Sequence, residues 1–231
     1  MEQNVYALSQ EQIETQTRSL VQRVYVWMFA ALMLTGVVAL VTASTSLWQS
    51  IFNSPMFIVL ILAELGLVWI LSLAIHRMSP AVAAVMFFVY SALNGLTLSV
   101  VFLAYTSESV AMTFFASAGS FGAMAIYGHT TQRDLTSIGN LCMMALFGII
   151  IASLINIFMA SSALYWAITY IGVLVFVGLT AYDAQKIKVL GQQYDLSSAD
   201  GRRIAVLGAL ELYLDFINLF LLLLRLLGRR R

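Results

Sequence analysis

The chain has 231 residues, of which 61% are hydrophobic and only 10% are charged, and its formal net charge is +1. Soluble domains average about 45–50% apolar and about 25% charged residues, so this chain carries more apolar surface than a soluble domain of its size can bury. A nucleic-acid-binding protein shows a strongly basic face, and a net charge close to zero argues against one. The composition therefore predicts a membrane protein that binds no nucleic acid.

Seven apolar segments are long enough to cross a bilayer, which takes about 20 mostly apolar residues in a helix. They cover residues 24–44, 55–75, 81–104, 109–127, 140–160, 164–182 and 205–226. Short connections join them and leave no room for a soluble domain. We expect an all-α bundle of seven transmembrane helices over residues 24–227, after a cytoplasmic N-terminal segment, 1–23, and before a basic C-terminal tail, 228–231.

Lysines and arginines alternate between the connections. Basic residues precede the first span and follow the second, fourth and sixth spans, whereas "STSLWQSIFNS", "YTSES" and "SSAL" hold none. Because cytoplasmic loops carry the excess of positive charge, the N-terminus and the even-numbered connections are expected in the cytoplasm. Seven full spans then put the terminal "GRRR" outside, against this rule. The last segment is therefore either a full span, which we favour, or a re-entrant helix.

The start of the chain and its one cysteine exclude other classes. The polar first segment lacks the basic start and short apolar core of a cleaved secretory signal, so the first span is expected to stay as an anchor. A single cysteine, Cys142, forms no intrachain disulfide or metal cluster and is expected to be a buried apolar residue. No glycine-rich phosphate loop, metalloprotease signature or serine nucleophile elbow occurs. We therefore expect neither an enzyme nor a bound cofactor.

Polar residues share one face of the last span. Glu211, Asp215, Asn218 and Arg225 follow one another at i, i+4, i+7 and i+14, a spacing that aligns them along a helix. A charge in the middle of a span costs about 2.5–3.5 kcal/mol on insertion scales. This face is therefore expected to contact protein or a watery cavity rather than lipid. Asp215 is interpreted either as a proton- or cation-binding carboxylate or as a neutral structural acid that hydrogen-bonds to a neighbouring helix.

Two acids lie in other spans. Asp183, in "AYDAQKIK", ends the sixth span, where it is either a solvated end cap or a partner for Asp215. Residue counting puts Asp215 two or three turns deeper, so the two meet only if their helices are staggered. If they meet, mutual repulsion makes the pair share one proton. Glu64, near the middle of the second span, is either a third acid in the same cavity or a hydrogen-bonded structural residue.

The chain also carries three distinctive segments, "YGHTTQRDLTSIGN", "YIGVLVFVGLTAYDAQKIK" and "LYLDFINLFLLLLRLLG". They resemble the Bax inhibitor-1 family, also called the transmembrane BAX inhibitor motif family, and its bacterial branch most closely. The likeness covers the chain from about residue 18 onward. It implies a bundle in which the last helix is enclosed by the other six. It also implies a pH-sensitive calcium leak, in which two aspartates share a proton near the cytoplasmic side.

The resemblance assigns the aspartate pair to Asp183 and Asp215, and the glutamate of the second helix to Glu64. We therefore expect Asp183 and Asp215 to form the pH sensor. They are also the candidate Ca²⁺ ligands, since hard oxygen ligands suit this ion. We expect Glu64, Glu211 and Asn218 to line the ion pathway.

A basic latch is less well matched. The channel-type pattern has an arginine about three turns after the helix-two glutamate, where this chain has Ile75, followed by His76 and Arg77. Arg77 is the candidate gate latch, because it can reach a carboxylate and hold a gate shut. Its alternative fate is to extend to the lipid headgroups, as terminal arginines of spans commonly do.

These expectations support two functions of different classes. The first is a non-enzymatic, pH-modulated Ca²⁺ or cation leak channel in a bacterial inner membrane, which closes when the aspartate pair is protonated. The alternative is a non-transporting interaction protein that modulates membrane proteolysis or a stress response, because some bacterial relatives are associated with membrane protease complexes. A proton-coupled carrier is a third hypothesis. The expected partners are membrane lipid, Ca²⁺, protons and, in the alternative, a membrane protease complex.

Overall fold

A computed structural model describes residues 10–231 of the chain, which are helical apart from short connections. The helices are α1 (Gln10–Ser44), α2 (Leu47–Phe52), α3 (Met56–Ala74), α4 (Pro80–Ala104), α5 (Ser107–Thr130), α6 (Thr136–Met159), α7 (Ser162–Gln193) and α8 (Ala199–Leu227). A 3₁₀ turn, Ile75–Arg77, follows α3. All helices except the short α2 are long and apolar enough to cross a membrane. The protein is therefore an all-α membrane protein with seven transmembrane helices, as predicted.

Side-chain caps fix where four of these helices begin. Ser79, Thr106, Ser161 and Ser198 each accept a hydrogen bond from the backbone N–H three residues further on, at the starts of α4, α5, α7 and α8. Such a cap satisfies one of the backbone donors that a helix start leaves unpaired. Pro80 follows Ser79 at the first position of α4, where its missing N–H costs nothing. The caps let one helix follow another after a very short connection.

Two helices extend beyond the predicted spans. α1 begins at Gln10, so residues 10–23 of the predicted N-terminal segment continue the first helix, and residues 1–9 lie outside the described residues. α7 continues to Gln193, whereas the predicted span ended at residue 182. Hydropathy marks only the part of a helix that suits hydrocarbon, so it misses polar extensions. Asp183 therefore lies inside a continuous helix, and the end-cap interpretation of this residue is wrong.

α8 is the most buried of the spanning helices. In its most apolar window 67% of the residues are buried, against 17% for α3 and 6% for α6. α1, α4, α5 and α7 pack directly against it, while α3 packs on α4 and α6 packs on α7. α8 therefore lies at the centre of the bundle, and its enclosure by all six other spans stays a prediction.

The C-terminal tail lies at the end of the bundle where α4 and α5 are joined. The Thr106 N–H donates to the Arg229 carbonyl at 3.1 Å, and the Arg231 N–H donates to the Ala104 carbonyl at 3.0 Å. This is the opposite end from the connections after α3, α5 and α7. The helix before the tail is continuous over Ala199–Leu227. These features agree with the full span that we favoured over a re-entrant helix.

Candidate functional site: an acidic cavity beside the last helix

A cavity of about 600 Å³ lies beside α8, between α3, α6 and α7. Apolar side chains form much of its wall. Its titratable and amide side chains are Glu64, Tyr90, Tyr182, Asp183, Lys186, Glu211, Asp215 and Asn218. The structure thus brings together all five residues predicted for the pH sensor and the ion pathway.

Asp183 and Asp215 face each other in this cavity. Both side chains are buried, with 9% and 4% of the residue exposed, and their carboxyl groups lie within hydrogen-bonding reach of each other. In the described part of the chain, no donor reaches Asp215 Oδ2. Two ionised carboxylates have no hydrogen to share, so this pair forms a hydrogen bond only when one of them holds a proton.

The contact between the two aspartates depends on the length of α7. Residue counting allowed it only if the sixth and seventh spans were staggered. Because α7 runs on to Gln193, Asp183 lies well inside its helix and level with the carboxylate of Asp215. The stagger is therefore present, although the apolar pattern of the span gave no sign of it.

Lys186 and Glu211 form an ion pair in the same cavity. Lys186 Nζ donates to Glu211 Oε1 at 2.7 Å, and the two side chains are 34% and 24% exposed. Lys186 follows Asp183 by one turn of α7, and Glu211 precedes Asp215 by one turn of α8. All four groups are close enough to interact electrostatically. A cation of the protein itself therefore lies within the acidic region.

Sequence reasoning gave Lys186 no role beyond its contribution to membrane orientation. The available signal was its spacing, three residues after Asp183, which puts both side chains on the same face of a helix. Pairing with Glu211 was not visible, because it joins α7 to α8 across the connection between them. Lys186 is the charged residue of this cavity for which the sequence predicted no role.

Glu64 lies on the α3 side of the cavity. Thr97 Oγ1 donates to Glu64 Oε1 at 2.9 Å, and Asn94 Nδ2 lies 3.4 Å from Glu64 Oε2 and 3.4 Å from the Tyr90 hydroxyl. The two donors belong to α4, so these hydrogen bonds fasten α3 to α4. Both interpretations of Glu64 therefore describe its position, because its carboxylate is hydrogen-bonded and also lines the cavity.

The other two polar residues of the α8 face, Asn218 and Arg225, lie in different environments. Asn218 lines the cavity, and its side-chain amide donates to the Leu214 carbonyl one turn earlier at 2.8 Å. Arg225 is exposed near the end of α8, and its guanidinium lies over the Tyr165 ring, 5.5 Å from the ring centre. Such a cation–π contact is favourable by about 0.5–1 kcal/mol at exposed sites. The predicted face therefore contacts protein or the cavity from Glu211 to Asn218, and Arg225 is exposed at its end.

Arg77 lies away from this cavity. It is exposed at the end of the 3₁₀ turn after α3 and is not among the lining residues. Residues 10–231 form two ion pairs, Lys186–Glu211 and Arg203–Asp200, and Arg77 belongs to neither. Its role as a gate latch stays a prediction that no contact supports.

The cavity offers a cation only part of a coordination shell. Within residues 10–231, no group of three or more His, Cys, Asp and Glu side chains is arranged to hold a metal ion together. Ca²⁺ takes about six to eight oxygen ligands, so Asp183 and Asp215 leave most positions to water. Binding of Ca²⁺ by this pair stays a prediction.

Comparison with known proteins identifies the family. The family described as "Inhibitor of apoptosis-promoting Bax1" matches residues 17–231. The chain is 52% identical to "Inner membrane protein YbhL" of Escherichia coli (strain K12), with 90% of this chain and 91% of that protein covered. It is 44% identical to uncharacterized protein RP147 of Rickettsia prowazekii, with 90% and 89% covered. It is 41% identical to an uncharacterized protein of Deinococcus radiodurans, with 94% of each covered. The chain therefore belongs to the Bax inhibitor-1 family, as the three distinctive segments predicted.

Proposed function

We propose that this protein is a non-enzymatic, pH-modulated cation leak channel of a bacterial inner membrane, with Ca²⁺ as the transported ion and the N-terminus in the cytoplasm. The Escherichia coli relative is named an inner membrane protein, which supports the location. One observation carries the activity: two aspartates face each other, buried, in a cavity of about 600 Å³ that two further acids line. Intramembrane acids are costly and mark ion or proton pathways in membrane proteins.

The aspartate pair is the element that responds to pH. When both carboxylates are ionised, they and Glu211 concentrate negative charge in the cavity and raise the local concentration of cations. When one proton binds, the two aspartates share it across their contact, and one negative charge is lost. The shared proton also forms a hydrogen bond that ties α7 to α8. Cation flux therefore rises with pH and falls as the solution becomes acidic.

Other titratable groups surround the pair and contribute to this response. They are Lys186 and Tyr182 of α7, Glu211 of α8, Glu64 of α3, Tyr90 of α4 and Cys142 of α6. Lys186 is the only cation among them. The macroscopic pH dependence belongs to the whole cluster rather than to one carboxyl group.

Lys186 competes with the transported cation. Its ammonium group binds Glu211 at 2.7 Å and lies one turn from Asp183. A hydrated Ca²⁺ that approaches the aspartates meets this positive charge and is repelled. Lys186 therefore does what we first expected of Arg77: it binds an acid of the pathway and limits the leak.

The experiment is Ca²⁺ flux in proteoliposomes that contain only the purified protein, measured with a trapped fluorescent indicator across a range of pH. Wild-type flux is expected to fall as pH falls. The double variant Asp183→Asn/Asp215→Asn is expected to lose this pH dependence, because an amide neither binds nor releases the proton. Glu108→Gln is the matched control, since Glu108 is an exposed acid in the first turn of α5. Unchanged pH-dependent flux in the double variant would remove the mechanism.

The same preparation separates the channel from the interaction-protein alternative. A regulator of membrane proteolysis has no reason to conduct ions by itself, so it predicts no flux above that of empty vesicles. It also predicts that a pull-down from native membranes recovers a protease complex. Cation flux measured in the same vesicles with and without an imposed proton gradient would identify a proton-coupled carrier. Transport by such a carrier depends on the gradient, whereas a leak channel conducts without it.

A further inference from the structure

A second cavity, of about 290 Å³, lies on another side of α8, between α1, α4 and α5. Its wall is almost entirely hydrocarbon and includes Phe114 and Phe115 of α5 and Phe216 and Phe220 of α8. A water molecule inside a protein needs polar partners, and apolar cavities of this kind stay dry. The chemistry of the wall therefore calls for a hydrocarbon occupant.

This apolar cavity opens on the surface of the bundle that faces the membrane. Phe115 is 73% exposed and Phe114 is 41% exposed, although both line the cavity. Along α5 the lining runs from Ser107 to Phe115, a distance of roughly 12 Å at about 1.5 Å per residue. One leaflet of the hydrocarbon core is about 15 Å deep, half of the usual total. The cavity is therefore long enough to hold most of one acyl chain.

Three arginines, residues 229–231, lie at one end of the apolar cavity. The Arg229 N–H donates to Ser109 Oγ at 2.9 Å, and Arg231 Nη2 lies 3.4 Å from Ser107 Oγ. Ser107 also lines the apolar cavity, so the tail adjoins its end. The side chains of residues 229–231 are exposed, and they belong to neither ion pair of the described residues.

The tail is held in place and stays charged. Backbone hydrogen bonds to Ala104 and Thr106 fix it on the connection between α4 and α5. Hydrogen bonding to the Tyr105 hydroxyl, and then the Tyr165 hydroxyl, raises the pKa of Arg230 above its ordinary value. The tail therefore presents fixed positive charge, and no acidic side chain of residues 10–231 forms an ion pair with it.

We propose that this end of the molecule binds an anionic phospholipid, with one acyl chain in the apolar cavity and the headgroup phosphate on the arginines of residues 229–231. The planar guanidinium matches a phosphate in charge and in hydrogen-bond geometry. A free phosphate ion would use the arginines but leave the apolar cavity unexplained. A zwitterionic lipid would fill the cavity but bring no net negative charge to the arginines, because its own ammonium group balances its phosphate. An anionic lipid satisfies both features at once.

The test is native mass spectrometry of the full chain, released from detergent micelles to which phosphatidylglycerol or phosphatidylcholine with identical acyl chains has been added. The wild type is expected to retain several-fold more phosphatidylglycerol than phosphatidylcholine. The triple variant Arg229→Gln/Arg230→Gln/Arg231→Gln is expected to lose this preference. Gly36→Phe is expected to reduce retention of both lipids, because Gly36 lines the cavity and a side chain added there meets no atom within 4 Å at its Cβ.

Gly148→Phe is the matched control, since Gly148 is exposed on α6 and its added Cβ also meets no atom within 4 Å. Its lipid retention is expected to equal that of the wild type. Gly36→Leu repeats the test with a smaller side chain in case the phenylalanine disturbs folding, which thermal unfolding in detergent checks.

Equal retention of the two lipids by the wild type overturns the proposal, and so does full retention by both Gly36 variants. Binding of a second protein copy in place of lipid also overturns it. None of these readouts depends on ion flux, so their outcome is independent of the proposed channel activity.

Discussion

α8 presents opposite chemistry to the two cavities beside it. The face toward the larger cavity carries Glu211, Asp215 and Asn218, whereas Phe216 and Phe220 line the smaller one. Asp215 and Phe216 are adjacent in sequence but point about 100° apart around the helix axis. The period of the helix therefore lets one central element supply an acidic wall and an apolar wall to separate spaces.

The comparison shows that the lining of a cavity, rather than its size, decides what can occupy it. Water enters a buried space only where polar groups bind it, whereas an apolar space stays dry. A carboxyl group is tolerated at Asp215 because it can share a proton with Asp183 and because the ammonium group of Lys186 lies nearby. One position further along, no such partner exists on the wall of the apolar cavity. Substitutions that place a charged residue on the apolar face, or remove a charge from the acidic face, test this difference most directly.

The largest effect is expected from Phe216→Asp, which puts a carboxylate into the apolar cavity. An unpaired buried charge costs about 3–5 kcal/mol, and the variant also loses the ring contacts of Phe216 with Phe114 and Phe121. We expect loss of the folded, monodisperse protein by size-exclusion chromatography and thermal unfolding in detergent. Asp215→Asn is the control and is expected to stay folded. A stable Phe216→Asp protein would show that this cavity admits water.

A large functional effect is expected from Lys186→Gln. Removing the ammonium group frees Glu211 and leaves the cavity more negative, so Ca²⁺ flux at neutral pH is expected to rise several-fold in proteoliposomes. Lys188→Gln is the matched control, because Lys188 Nζ donates to the His129 carbonyl at 2.8 Å and does not line the cavity. Unchanged or reduced flux in Lys186→Gln would contradict the role of this lysine as a competing cation.

The polar face of α8 could be predicted from sequence, whereas the contacts between helices could not. The spacing of Glu211, Asp215 and Asn218 can be read from the sequence of one helix. Because charge is costly in hydrocarbon, such a face is expected to point toward protein or water rather than lipid. The meeting of Asp183 with Asp215 depends on the stagger of two helices. That stagger depends on a polar extension of α7, and a hydropathy pattern does not detect polar extensions of a helix.

The apolar cavity could not be predicted from the sequence. It is a space between four helices, and its lining residues repeat the apolar pattern of any span. The tail at its end was expected outside the membrane on the basis of counted spans alone. The hydrogen bonds of Arg229 and Arg231 to the start of α5 and the end of α4 show that it is fixed beside the cavity.

A moderate loss of stability is expected from Thr97→Val. This change removes the 2.9 Å hydrogen bond to Glu64 that fastens α3 to α4. A hydrogen bond to a charged group contributes about 1.5–3 kcal/mol, and water in the cavity replaces part of it, so we expect a loss near the lower limit. Thr169→Val is the control, because its hydroxyl donates only to the Tyr165 carbonyl in its own helix, at 2.8 Å. Equal unfolding midpoints for the two variants in detergent would show that the hydrogen bond to Glu64 does not stabilise the bundle.

The smallest effect is expected outside both cavities, in the connection between α7 and α8. Hydrogen bonds from the Ser197 side chain and backbone lower the pKa of Asp195, a partly exposed residue. Because the folded-state pKa is depressed, the stabilisation is present at neutral pH and is lost as pH falls through the folded-state value. Ser197→Ala is therefore expected to lower the unfolding midpoint slightly at pH 7 and not at acidic pH, with Ca²⁺ flux unchanged. A change in flux would show that this connection acts on the aspartate pair, and that the acidic cavity is not energetically separate from the rest of the bundle.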